Sequence, residues 1–295
     1  MAFQRGQTKN SLPSTIRHVC GDRRALPAFT EEFRKFSPQV TLDAIPYTEQ
    51  ESIMLLQTLR GITERVVALS SQDVYRAYGI FTRLEEGPLV PAPYDEDAAL
   101  RTRLYPYRAA ATGPADFRYN YEKILVERAV INEPGLPGTI LRLPQVYGPG
   151  DGQHRLFDYL KRMADGSRVF LQGEQQSEWR WTRGYVENVA AAIALAVTDE
   201  RAAGRIYNLG ETEALSEAVW VRAVGDAAEW DGEVVAVPEE RLQEYMAAPD
   251  YDWRQSLAAE TRRIRTELGY EELISREEGL RRTVEWERAN PLYQQ

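Results

Sequence analysis

A chain of 295 residues, 43% apolar and 27% charged, is long enough to bury a sizeable core and has the balance of a soluble globular protein. Its net charge of -9 speaks against a nucleic-acid surface, which needs concentrated positive charge. The single cysteine, Cys20, excludes an internal disulfide and points to a reducing cytoplasm, no apolar run is long enough for a membrane span, and the first ten residues hold no secretory h-region.

Taken in order, the chain alternates short apolar runs with helical patterns. Met1 to Arg5 reads as the end of a strand, and Ile16 to Val19 as a short strand closed by Gly21-Asp22. Pro27 to Phe36 reads as a helix, Val40 to Ile45 as a strand ended by Pro46, and Glu49 to Leu59 as a helix. Val66 to Leu69 is a buried strand running into Ser70-Ser71. This rhythm predicts βαβ units and a parallel sheet. The stretch from Arg76 to Ala115 breaks it with prolines at 88, 91, 93, 106 and 114, the mark of a long functional connection. Thr139 to Leu143 is a further strand, Leu156 to Met163 a helix, Val169 to Leu171 a strand and Val186 to Val197 a helix. Arg205 to Leu209 closes the main sheet, and from Ser216 the chain is charged and helix-rich, with a strand at Val234 to Val237.

The chemistry centres on Tyr119-Asn-Tyr-Glu-Lys123, read as part of one helix from Asp116, its N-cap, to Val130. Phe117, Tyr121, Ile124 and Leu125 fall at core spacing, and Tyr119 and Lys123, four apart, share another face. An ammonium beside a phenol stabilises the phenolate, which suits a tyrosine to acid/base work. Ser71 follows a strand directly, where open α/β sheets carry their ligands. Arg101, Arg103, Arg108, His154, Arg155, Arg180 and Arg183 are candidate anion clamps. His154 has no carboxylate or cysteine at metal-ligand spacing, so no metal site is assigned.

Five motifs occur in a fixed order: Ser70-Ser71 with Val74-Tyr75; Tyr119 with Lys123; Leu141-Arg-Leu-Pro-x-Val-Tyr-Gly-Pro-Gly-Asp151; Gly184-Tyr-Val-Glu-Asn-Val-Ala190; and Gly204-Arg-Ile-Tyr-Asn-Leu-Gly210. In that order they resemble an extended short-chain dehydrogenase/reductase of the NAD-dependent epimerase/dehydratase family, from residue 1 to about residue 285. The resemblance implies an α/β, Rossmann-like domain over 1–150 and a smaller substrate lobe over 151–295, with 186–197 and 205–209 returning to the main sheet. It implies Ser71, Tyr119 and Lys123 as the catalytic trio. By matching position, Asp22 reaches the adenine, Pro46, Tyr47 and Ser70 the middle of the cofactor, and Pro144, Gln145 and Val146 the nicotinamide, with Lys123 on a ribose hydroxyl. Asp73, Tyr147, Arg155 and Arg183 fall on the substrate side.

The departures from that pattern are informative. The family opens with a strand and a Gly-x-x-Gly-x-x-Gly turn that cradles a pyrophosphate at a helix N-terminus. Here the first βα unit is missing, and the glycines from Gly148 to Gly152 follow a late strand instead. Without that central strand, Val40 to Ile45 is expected to expose an edge, dinucleotide binding is expected to be weak, and a native product longer by one βα unit is expected. Arg5 without a neighbouring acid favours NADP over NAD. Asn188 replaces the usual Asp. Dehydratases of the family carry two acids after the catalytic Ser/Thr, where this chain has Gln72 and Asp73, so reduction or epimerisation is favoured over elimination. The resulting expectation is an NAD(P)-dependent oxidoreductase or epimerase acting by hydride transfer on a small polar substrate, sugars included, with a homodimer left open. The rivals are a non-catalytic relative acting as sensor or scaffold, and an RNA-binding relative, which the acidic balance disfavours.

Overall fold

The structure, a computed structural model, describes residues 1–7, 12–166, 168–242 and 250–292. The elements are β1 (Ala2–Gln4), β2 (His18–Cys20), α1 (Thr30–Phe36), β3 (Val40–Asp43), α2 (Glu49–Leu59), β4 (Arg65–Ser71), α3 (Arg76–Phe81), α4 (Lys123–Ile131), β5 (Gly138–Leu143), β6 (Gln145–Tyr147) and α5 (Phe157–Ala164). There follow β7 (Val169–Gly173), α6 (Glu174–Glu178), β8 (Arg183–Tyr185), α7 (Val186–Thr198), β9 (Ile206–Asn208), α8 (Glu217–Ala227), β10 (Glu233–Val237), α9 (Glu239–Leu242), α10 (Arg262–Leu268) and α11 (Arg276–Ala289). The chain forms two compact units: Met1–Ser70 with Leu104–Leu141 and Asp199–Ile206, and Ser71–Arg103 with Arg142–Thr198 and Tyr207–Gln295.

The first unit is built on the sheet order β3-β4-β5-β9, with β3 parallel to β4 and at the edge. Val66, Ala68 and Ile140 pack against Leu55, Leu56 and Leu59 of α2 and Val130 of α4. Helix α2 starts with a full capping box, Thr48 with Glu51, which explains why its limits match the sequence reading. Strands β1 and β2 pair in parallel as a separate two-stranded sheet. The expected helix from Pro27 to Phe36 is corrected to a 3-10 segment, Arg23–Phe29, followed by α1. Asp22 caps the 3-10 segment from Arg24 N, and Pro27 inside it has no N–H for a regular helical bond.

The single helix from Asp116 to Val130 is also corrected. Asp116 does act as an N-cap, but of a 3-10 turn, Phe117–Tyr119. The chain then opens at Glu122 (φ -159°, ψ 99°), whose carboxylate accepts from Ile124 N and starts α4 at Lys123. The same carboxylate accepts from Tyr105 N, so a tertiary contact fixes the break. Phe117 is therefore 61% exposed rather than in the core, while Tyr121 and Ile124 are buried.

The second unit holds two parallel strand pairs, β6 with β8 and β7 with β10. Its core joins Leu156, Met163, Phe170, Trp220, Val224 and Leu280. Gly148 takes φ 144°, and a Cβ there would stand 2.4 Å from Val186 Cγ1, so its glycine serves a close approach to α7. Asn188 is buried and used at both ends: Oδ1 accepts from Leu273 N and Ile274 N, and Nδ2 donates to Ile274 O. The stretch expected to be irregular contains α3, where Gly79 approaches the side chains of Glu85 and Arg101.

Candidate active site

In the first unit, Lys123 is 5% exposed at the start of α4. Its Nζ donates to Pro46 O after β3 and to Leu69 O in β4, both at 2.8 Å. Two backbone carbonyls thus fix the ammonium at the carboxyl ends of two parallel strands, where such sheets bind ligands. It stands 5.2 Å from the Tyr47 ring centre and 5.6 Å from that of Tyr121. Tyr47 in turn packs on Tyr121 and on the exposed Phe117.

Tyr119 is half-buried and the cation on its ring is Arg108, 4.8 Å from the centre. Arg108 Nε also donates to Tyr119 O, which pins the turn. The Tyr119 hydroxyl has no hydrogen bond among the described residues. Ser70, by contrast, is committed: its hydroxyl donates to the buried Glu127 at 2.6 Å. Asp22 is tied to Arg24, which holds its carboxyl down to about 2. Arg5 is exposed on the turn after β1.

In the second unit, Ser71 Oγ accepts from Asp73 N and caps the turn Gln72–Val74. Gln72 is 6% exposed and its Nε2 donates to Leu209 O at 2.8 Å. Asp73 is buried too. Pro144 and Val146 are half-buried on either side of Gln145. Gln145 Oε1 accepts from Arg183 Nε at 3.1 Å, and Arg183 Nη2 meets Glu217 Oε2 at 2.5 Å. Arg183 is 3% exposed, lies 4.2 Å over the Trp220 ring, and keeps Nη1 buried with no hydrogen-bond partner among the described residues. Such an orphaned donor in a buried guanidinium is rare and marks a place for an acceptor. Tyr159 steadies Glu217 from the other side by a 2.6 Å hydrogen bond, and burial pushes its phenol up.

The other substrate-side candidates have internal work. Arg155 Nη1 pairs with Asp151 at 2.6 Å, within the turn that Asp151 caps. His154 Nδ1 meets Glu287 Oε2 at 2.7 Å. Tyr147 is 1% exposed and donates its hydroxyl to Glu211, which also binds Arg276 Nε. Arg101 is 2% exposed and donates to Asp73 O and Arg103 O. Trp179 is buried, stacked on Phe81 at 4.8 Å. The supports of Arg183, namely Gln145, Tyr159, Glu217 and Trp220, are far apart in sequence, and only Gln145 stood out there.

Glu211 gives a pH signature. Burial lifts its carboxyl above the ordinary range, against the opposing pull of Arg276 and Tyr147. The folded chain therefore holds that proton more tightly than the unfolded one. The associated stability is full below the unfolded value and is lost as pH rises through the raised folded value. Relative to Glu211→Gln, the wild-type melting temperature is expected to fall as pH rises from the ordinary carboxylate range through the raised folded value. Parallel melting curves across that range would exclude the effect.

A model of the family described as NAD dependent epimerase/dehydratase matches residues 53–210. The chain is 29% identical over 242 residues to a dTDP-glucose 4,6-dehydratase of Streptomyces niveus, covering 81% of this chain and 61% of that relative. It thus spans about three-fifths of that relative's length. A solved epimerase of Methanothermobacter thermautotrophicus is similar with a TM-score of 0.66 at 20% identity, covering 98% of this chain and 84% of that one. A double mutant of a Streptomyces venezuelae dTDP-glucose 4,6-dehydratase, solved with NAD bound, gives a TM-score of 0.63 at 23% identity, covering 93% and 80%. These likenesses show the fold, a Rossmann-like parallel α/β sheet.

Proposed function

The chain belongs to the NAD dependent epimerase/dehydratase family, and from that premise we propose that it is an oxidoreductase or epimerase acting on a nucleotide-linked sugar. Arg183 carries the reading. A guanidinium that is 3% exposed, braced by Glu217 and Gln145, with Nη1 unpartnered among the described residues, is a preformed donor for a phosphate oxygen. The names of the relatives, sugar-nucleotide enzymes, agree with it.

Tyr119 is the acid/base residue in this proposal: as phenolate it takes, and as phenol it returns, the proton of a sugar hydroxyl, and among the described residues it has no hydrogen bond that would compete. Lys123 supplies fixed positive charge and a ribose contact, and Ser71 Oγ orients the substrate oxygen. Gln72 has no proton to transfer and its amide is spent on Leu209 O, which favours epimerisation or oxidation over elimination. The exposed Arg5 is the feature that favours NADP over NAD. The described residues do not fit the pyrophosphate of either dinucleotide, since in the first unit the helix starts at Asp22, Thr48 and Glu122 are already closed by the carboxylates of Asp22, Glu51 and Glu122. What this chain's own residues supply is the proton and anion chemistry. That misfit also favours a second reading, a sugar-nucleotide-binding relative without catalysis.

The test is calorimetric titration of UDP-glucose and dTDP-glucose. Arg183→Lys keeps the charge but loses the fork, and is expected to weaken binding about tenfold. The pair Arg183→Met with Glu217→Gln, which leaves no buried lone charge, is expected to weaken it further. Binding unchanged in both would overturn the anion role. Binding without turnover, once a dinucleotide is held, selects the second reading.

A further inference from the structure

The run Tyr105-Pro-Tyr-Arg108 lies in the first unit, ahead of the turn that carries Tyr119, and all four of its residues are half-buried. Tyr107 meets Tyr121 edge-on at 5.1 Å, which ties the run to the residues just before α4. Tyr105 takes φ 59°, a conformation that residues other than glycine rarely adopt, and Glu122 holds it there by accepting from Tyr105 N. A bulky residue stays in such a conformation only where its surroundings fix it. The Tyr105 ring lies under the Arg108 guanidinium, 3.6 Å from ring centre to the guanidinium carbon. Arg108 N also donates to Tyr105 O at 3.1 Å, which closes the turn between them.

Arg108 therefore has two rings against it, Tyr105 at 3.6 Å and Tyr119 at 4.8 Å. A guanidinium stacked in this way is planar, always charged and already ordered, so it loses little freedom on meeting a carboxylate. Its hydrogen bonds go to neutral acceptors: Nε to Tyr119 O at 2.8 Å, and Nη2 to the exposed Asn120 Oδ1 at 3.4 Å. Among the described residues Nη1 has no hydrogen bond and no carboxylate pairs with Arg108. Its neighbours are placed differently. Arg118 is held by Asp116 through Nε and Nη2, and Lys123 Nζ donates to Pro46 O and Leu69 O. Arg108 keeps its charge unanswered at the ring of Tyr119.

We propose that Arg108 is a specificity residue and that the sugar it selects carries a carboxylate, so that the substrate is a nucleotide-linked uronic acid. This rests on the reading of Tyr119 as the acid/base residue and narrows the substrate of that site. The guanidinium lies against the Tyr119 ring, so the anion it takes belongs to the same sugar ring as the hydroxyl whose proton Tyr119 moves. A hexuronic acid meets that demand. Its carboxylate stands on the ring carbon beside the 4-hydroxyl, whereas the pyrophosphate leaves from the anomeric carbon across the ring. Two N–H groups of the fork pair with the two carboxylate oxygens. A neutral hydroxymethyl group in the same place leaves the charge unanswered, which is the basis of discrimination against the parent hexose.

The test is calorimetric titration of UDP-glucuronic acid beside UDP-glucose, which share one nucleotide, so that whatever holds their pyrophosphate cancels in the ratio of affinities. The wild-type chain is expected to bind the uronic acid about tenfold more tightly, the effect of one charge-assisted pair. Arg108→Gln is expected to bring the two affinities within about twofold of each other. Arg108→Lys keeps the charge but loses the fork, and is expected to retain only part of the preference. Tyr119→Phe is expected to keep the preference, since the ring beside Arg108 remains. Equal affinities in the wild-type chain, or a preference that survives Arg108→Gln, overturn this assignment alone. Where Arg108→Gln binds neither ligand, Arg108→Lys decides, and an undiminished preference there overturns the fork. Failure of the wild-type chain to bind either ligand overturns the sugar-nucleotide reading itself, and this assignment with it.

Discussion

Truncating Trp220 to alanine is expected to destabilise the second unit by about 3–5 kcal/mol. Trp220 is 2% exposed on α8, at the centre of the core formed with Leu156, Met163, Phe170 and Val224. The Tyr147 ring meets it edge-on at 5.1 Å. The Arg183 guanidinium lies 4.2 Å over its face, so the indole supports the proposed anion donor as well as the core. Alanine leaves a large cavity beneath a buried ion pair, where collapse is hindered by Tyr147 and by the bond from Tyr159 to Glu217. In urea the unfolding midpoint should drop with little change in slope. UDP-glucose binding should weaken in step, because Arg183 loses its platform. A loss under about 1 kcal/mol would mean that this core relaxes around the deletion, contrary to the packing seen.

Much of the sheet was legible because parallel strands announce themselves as short apolar runs. Val66 to Leu69 and Thr139 to Leu143 fall inside β4 and β5, and Glu49 to Leu59 coincides with α2, where Thr48 and Glu51 write the cap into the sequence. Among the described residues β3 stands at the edge of its sheet, where an exposed edge was expected. The break before Lys123 was not, since the residue that makes it, Glu122, serves Tyr105 N as well as Ile124 N, and only the fold brings Tyr105 there. Phe117 was misplaced for the same reason: its spacing is helical but its turn is not. The setting of Arg183 was hidden because Glu217 lies 34 residues away and Tyr159 bonds to Glu217 across 58. Buried Tyr75 illustrates the point again: its hydroxyl joins Asn208 and Arg142, and burial pushes its phenol up to about 12, so a tyrosine read as part of a motif is held in the interior.

The hydroxyl of Tyr119 decides the catalytic proposal, and Tyr119→Phe is expected to lower kcat by about 10²- to 10⁴-fold. Removing this one oxygen should leave the melting temperature unchanged, because it forms no hydrogen bond among the described residues. The ring keeps its contact with Arg108, and the bond from Arg108 Nε to Tyr119 O is a backbone contact that phenylalanine preserves. Lys123 offers no such clean experiment. Its loss strips two buried carbonyls, Pro46 O and Leu69 O, of a donor, so a Lys123→Met chain is expected to lose stability as well as rate. The rate is therefore read on Tyr119→Phe, with UDP-glucose or dTDP-glucose as substrate and NAD or NADP supplied. KM is expected to change little, since a group that moves a proton acts on the transition state rather than on binding. A variant that turns over within about threefold of the wild type would show that no essential proton passes through this phenol. The turn Phe117–Tyr119 would then be a structural stack on Arg108, and the family motif would survive here without its chemistry.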